Sequence, residues 1–169
     1  IIFSCNRIIN RKDWEIIMDI KNNLIKIIVY DEKYKADLLS MILEAKGSLG
    51  SNPSLNPDLL TISESYLKKG DKFWIAINNK NMVIGSIAYS SIPDSTEVFL
   101  HRFFIKSNLK HNGIGSTLLK FVEIYLKKEG KTRIKVHLGN PREKWIESYN
   151  FYPKYGYKFF EKDYLYKEL

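Results

Sequence analysis

The run Lys110-His111-Asn112-Gly113-Ile114-Gly115-Ser116 stands directly before an amphipathic segment and has the residue types a phosphate group needs. Glycines at 113 and 115 permit backbone torsions and close approaches that side chains would block. Several amide N–H groups then point one way at a helix start, where the helix dipole adds partial positive charge. That arrangement cradles a pyrophosphate, although G-x-G before a helix also describes an ordinary loop. Other phosphate-binding signatures do not fit. A dinucleotide fingerprint requires a third glycine where Leu118 stands, and an acidic residue closing the next strand is missing. The full Walker pattern and the accompanying motifs of a protein kinase are absent as well.

Just upstream, the expected strand Glu97–Lys106 carries apolar residues at Val98 and Leu100, then at Phe103 and Ile105. The alternation slips by one residue at His101-Arg102. One continuously buried face requires an extra residue there, a β-bulge. A bulge splays neighbouring strands and leaves backbone N–H and C=O groups for a ligand that carries amides. An ordinary strand buried on both faces gives the same pattern, so the sequence leaves both open.

The elements that must position these residues follow from periodicity. Leu24–Tyr30 is a β-branched strand, and Ala36, Leu38, Leu39, Ile42 and Leu43 recur at helical spacing over Glu32–Ala45. Gly47–Pro53 reads as a loop, and Asn56-Pro57 as the cap and first turn of a helix ending at Gly70. Phe73–Asn78 and Met82–Ser90 form a hairpin. Ser116–Lys128 is a helix stopped by Gly130, and Arg133–Leu138 is a strand. Asn140-Pro141 opens another helix, and Tyr157–Phe160 with Tyr164–Lys167 makes a closing hairpin. The hairpins imply antiparallel pairing. The strand–helix–strand unit at Glu97–Leu138 implies one parallel step with a right-handed crossover. The expected fold is α/β (α+β), a single mixed and mostly antiparallel sheet flanked by helices, with a bulged central strand.

Composition sets limits. A chain of 169 residues with 44% hydrophobic content suits one compact domain. No apolar run approaches the roughly 20 residues of a membrane span. Cys5 is the single cysteine, which rules out an intrachain disulfide and a CxxC metal site and fits a reducing, cytoplasmic setting. No metal site is expected. The net charge of +8 invites a nucleic-acid reading, but the lysines are spread along the whole chain, so solvated lysines are favoured over a dedicated surface. Residues 1–17 are expected to be an N-terminal extension that the domain, 18–169, does not need.

The run Val98–Gly115 resembles the central motif of the GNAT superfamily of N-acetyltransferases, a strand ending in an L-x-V-like pair followed by Q/R-x-x-G-x-G/A. Lys110 stands where that family usually has Gln or Arg and keeps the charge, and Ser107 stands where proline is common. Downstream, a strand ending at Leu138 leads to Asn140. Phe151-Tyr152-Pro153-Lys154-Tyr155-Gly156-Tyr157 is then similar to the family's F-Y-x-K-x-G-F ending, at longer spacing than usual from Asn140. The resemblance spans roughly Leu24 to Leu169.

The resemblance implies acetyl transfer from acetyl-CoA to a primary amine of a small molecule or protein, by direct attack. It implies main-chain groups at Phe103, Phe104 and Ile105 on the pantetheine arm. Amides from Lys110, His111, Asn112, Gly113, Ile114, Gly115 and Ser116 would hold the pyrophosphate, and Asn140 would also serve the cofactor. Tyr152 is implied as the acid for the departing thiolate, and the phenol's ordinary pKa of about 10 keeps it protonated at neutral pH. Glu97, His101 and His137 are candidates for the base, each weighed against a surface or packing role. A non-catalytic acyl-CoA sensor of the same fold is the alternative, no membrane partner is expected, and a homodimer stays open.

Overall fold

The computed structural model of the chain describes residues 8–10, 15–20, 23–50 and 52–169. In chain order the strands are β1 (Ile8–Asn10), β2 (Glu15–Ile20), β3 (Asn23–Val29), β4 (Phe73–Ile77), β5 (Val83–Ser91), β6 (Glu97–Ile105), β7 (Arg133–His137), β8 (Lys158–Glu161) and β9 (Tyr164–Glu168). The helices are α1 (Lys35–Gly47), α2 (Ile62–Ser65), α3 (Ile114–Lys128) and α4 (Ile146–Phe151). The strands form one sheet in the order β1-β2-β3-β4-β5-β6-β7-β9-β8. Every pairing is antiparallel except β6 with β7, whose crossover contains α3. The mixed sheet read from the sequence is therefore the fold.

Two apolar layers hold it together. The fully buried run Phe73-Trp74-Ile75-Ala76-Ile77 makes β4 an interior strand covered on both faces. On one face α3 packs Leu118, Leu119, Val122 and Leu126 against Ile27, Ile87, Val98 and Ile134. On the other, α1 and the segment around α2 bury Leu38, Ile42, Leu59 and Tyr66 against Phe73, Ile75 and Val83.

The phase slip in β6 is a bulge. Ser86 pairs with Phe104 and Ala88 with His101, so Arg102 and Phe103 together face Ile87. The extra residue keeps Val98, Leu100, Phe103 and Ile105 on the α3 side, while Phe104 packs on the other layer. The pairing of β6 with β7 runs only from Glu97–Leu100 to Arg133–Val136. Beyond Leu100 the two strands part.

Three details differ from the expectation. The helix expected from Pro57 to Gly70 is broken into a 3-10 turn (Pro57–Leu60), α2 and a second 3-10 turn (Leu67–Lys69), with non-helical torsions at Thr61 and Tyr66. Here tertiary contacts override propensity, because Tyr66 turns into the core and donates its hydroxyl to Asp58 at 2.6 Å. Asn140-Pro141 does not cap a helix: the bond is cis, a 3-10 turn follows at Arg142–Trp145, and α4 begins only at Ile146. Finally, the expected boundary after residue 17 falls inside β2. This strand pairs with β3 and packs Ile16, Met18 and Ile20 on the core. Residues 1–7, including Cys5, and 11–14 of the expected extension lie outside the described residues. No helix among the described residues is long and apolar enough to cross a membrane.

Candidate active site

A cleft of about 570 Å³ opens where β6 and β7 part. One wall is the end of the bulged strand, Phe103, Phe104 and Ile105, and its floor is the turn leading into α3. The local sequence dictates that turn. A 3-10 turn at Ser107–Leu109 brings the chain to His111 (φ 62°) and Gly113 (φ 88°), and α3 starts at Ile114. Left-handed torsions are routine only for glycine, so Gly113 lets the chain reverse straight into the helix. The first-turn amides of α3 have no acceptor within their own helix, by the geometry of any helix start. At Gly115 a Cβ would lie 3.6 Å from Phe103 and Ile105 and 3.8 Å from Phe151, so a side chain there would project between the cleft walls.

The opposite wall comes from α4 and the turn after it: Trp145, Glu147, Phe151, Tyr152 and Tyr155, with Lys144 and Lys154 at its rim. Tyr152 is 7% exposed and sits edge-on to Phe103, Phe151 and Tyr157. Its hydroxyl has no hydrogen-bond partner among the described residues, and burial pushes its pKa up from the ordinary phenol value. Lys110 does not point freely at the turn. It reaches across the cleft to Glu147 at 2.6 Å, and His111 lies 4.0 Å from the same carboxylate.

His101 lies at the bulge on the face opposite Tyr152. Its Nε2 is 2.7 Å from Ser90 Oγ, and its ring packs near Phe99 and Tyr66. Burial lowers its pKa below the ordinary imidazole value, and the neighbouring Arg102 adds to the effect. The ring is therefore neutral at neutral pH.

Of the residues singled out in the sequence, Phe103, Phe104, Ile105, Lys110, His111, Gly113, Gly115, Ser116 and Tyr152 all line the cleft. Asn112 and Ile114 belong to the turn without lining it; Ile114 is buried beneath, and Asn112 donates to the Leu109 carbonyl. Asn140 does not line the cleft; the 3-10 turn Arg142–Trp145 that follows presents Trp145 there instead. Glu97 does not line the cleft. Four residues before His101, it is roughly 13 Å away along the strand. Its carboxylate is held by Lys135 at 2.5 Å and Arg133 at 2.8 Å. Lys135 keeps it below the usual carboxylate range, which makes it a poor base. His137 is exposed and packs at a tilt against Tyr164, with ring centres 4.7 Å apart. Sequence reasoning missed Glu147 and Trp145, for which no spacing rule signals a cleft wall. It also missed the pair Asp58–Arg102, in which Arg102 binds the Asp58 carboxylate through Nε and Nη2 at 2.8 and 2.6 Å.

The cleft thus joins a glycine-capped helix start to a splayed, bulged strand. Residues 39–157 match the model of the acetyltransferase (GNAT) family, and the chain belongs to that family. A curated relative from Xenopus tropicalis, "Probable N-acetyltransferase 14", is 32% identical over 75 residues, which cover 44% of this chain and 36% of that protein. The crystal structure of a GNAT-family acetyltransferase from Staphylococcus aureus Mu50 superposes with a TM-score of 0.76 at 26% identity, covering 86% of this chain and 99% of that one. The PaiA N-acetyltransferase of Thermoplasma acidophilum, solved in complex with coenzyme A, shares the fold with a TM-score of 0.69 at 20% identity, over 86% and 99% of the two chains.

Proposed function

We propose that the chain transfers the acetyl group of acetyl-CoA to a primary amine of a small molecule or protein by direct attack. One observation carries this reading: His101 and Tyr152 flank the β6 bulge from opposite faces, at the point where β6 leaves β7 and beside the helix-start turn. The open floor at Gly115 and the cationic turn fit a phosphorylated, amide-bearing cofactor. Acetyl-CoA supplies the activated acyl group.

The first-turn amides of α3 and Lys110 bind the pyrophosphate, and the β7-facing edge of Phe103–Ile105 holds the pantetheine amides, whose carbon–sulfur end is thereby brought to the bulge. The amine approaches from the His101 face. As its nitrogen bonds to the carbonyl carbon, His101 takes the nitrogen's proton, directly or through one water. Main-chain N–H groups at the splay stabilise the oxygen that gains negative charge. The carbon–sulfur bond then breaks with its electron pair left on sulfur, towards which Tyr152 donates its hydroxyl. The thiolate takes up a proton from solvent as His101 gives one back, so the products are an N-acetyl amine and coenzyme A.

Calorimetric titration with acetyl-CoA, followed by thiol release across a panel of amines, tests this. Micromolar binding and amine-dependent thiol release are expected. Absence of binding at millimolar cofactor would refute the donor assignment. Binding without turnover on any amine would leave a sensor and refute catalysis.

A further inference from the structure

Arg102 has a φ of 52°, in the left-handed region. The other non-glycine residues in that region among the described residues, Asn81, Asp94 and His111, lie in turns or bends, whereas Arg102 lies within β6. An arginine there bears backbone strain that surrounding contacts must hold. The contacts are visible. Both Nε and Nη2 of Arg102 bind Asp58, at 2.8 and 2.6 Å, and Tyr66 donates its hydroxyl to the same carboxylate. The fully buried Ser86 donates its hydroxyl to the Arg102 carbonyl at 2.7 Å. Asp58 is itself a fixed point, because the next residue, Leu59, is fully buried in the core.

We infer that Asp58 is a positioning residue: it clamps Arg102 in the left-handed conformation and so sets the bulge that aims the Phe103–Ile105 backbone at the pantetheine amides and thereby brings the thioester to the bulge. The ion pair spends both carboxylate oxygens on the fork of one arginine, the geometry best suited to fixing a backbone rather than binding a substrate. This inference rests on the catalytic reading above for its effect on rate, and on backbone geometry alone for its effect on stability.

The test exploits glycine, which adopts φ near 52° without strain. Arg102→Gly and Arg102→Ala remove the same guanidinium and differ in that tolerance. In an ordinary strand alanine is the more stable of the two. Here the order reverses: Arg102→Gly melts roughly 2 to 8 °C above Arg102→Ala and turns over at least about tenfold faster. Asp58→Ala, or Asp58→Asn where the alanine variant fails to fold, lowers kcat roughly 100-fold. Its KM for acetyl-CoA rises by a smaller factor than kcat falls, since the pantetheine edge shifts with the bulge while the pyrophosphate turn is untouched. Adding Arg102→Gly to the Asp58 variant restores kcat to the level of Arg102→Gly alone. Equal melting points and rates for the two Arg102 variants, or a double variant as slow as the Asp58 single variant, would overturn the inference. A wild-type protein without acetyl transfer would defeat the catalytic reading instead, and the melting order would still judge the clamp.

Discussion

Replacing Tyr152 by phenylalanine removes one oxygen from the wall of the cleft and nothing else. The hydroxyl has no partner among the described residues, so its loss breaks no internal hydrogen bond, and folding stability should hold or rise slightly. The kinetic cost is bounded by proton affinities. A phenol of pKa about 10, pushed higher here by burial, faces a leaving thiolate whose conjugate acid lies near 8.5. Complete proton transfer is uphill by at least roughly 1.5 units, or about 2 kcal/mol. Tyr152 therefore acts mainly by donating a hydrogen bond to sulfur as charge builds there. A hydrogen bond to a charged group contributes about 1.5–3 kcal/mol, which corresponds to a drop in kcat of roughly 10- to 100-fold. Full general acid catalysis would reach about 10⁴-fold. Thiol release at saturating amine gives kcat, calorimetry gives acetyl-CoA affinity, and circular dichroism gives Tm. The expected result is a slower enzyme with unchanged affinity and Tm. A kcat within about twofold of wild type would refute the role of Tyr152.

Other outcomes follow from the same geometry. With His101 as base, kcat should fall as pH drops, with an inflection below the ordinary imidazole value of about 6.5. The sign for stability is the same: the unfolded chain takes up the proton more readily than the folded one, so Tm should fall as pH drops below about 6.5. Glu147→Gln removes an anion that competes with pyrophosphate for Lys110. With this carboxylate half-exposed, the gain is about 1 kcal/mol, or roughly fivefold tighter coenzyme A at low salt, shrinking as salt is added. Equal affinity in wild type and variant would remove Glu147 from the cofactor's surroundings. Glu97→Gln should leave kcat within about twofold, because its carboxylate serves Arg133 and Lys135 far along β6; a large loss would return Glu97 to the mechanism. Gly113→Ala should lower Tm by roughly 2 to 8 °C and weaken coenzyme A binding, since alanine resists a φ of 88°.

The sequence by itself determined the elements whose signals are local. Alternation and β-branching marked the strands, and the phase slip at His101-Arg102 located the bulge within two residues. The glycine at 113 marked the turn into α3 because positive φ selects that residue type wherever it occurs. Tyr152 was singled out by its place in a motif, its burial beside Phe103 being a separate fact. What only the tertiary structure decided concerns residues brought together from distant parts of the chain. Asp58 and Arg102 are 44 residues apart, and Lys110 and Glu147 are 37 apart. No periodicity encodes such pairs, since an ion pair depends on where two elements dock and not on the residues flanking either. The same docking removed Glu97 from the cleft and broke the helix at Tyr66. It also recruited β2 to the sheet, although its mixed EIIMDI sequence carries little strand alternation. Local chemistry thus marked the bulge in β6 and the turn into α3, whereas the packing of α1, α2 and β6 fixed which side chains reach the bulge.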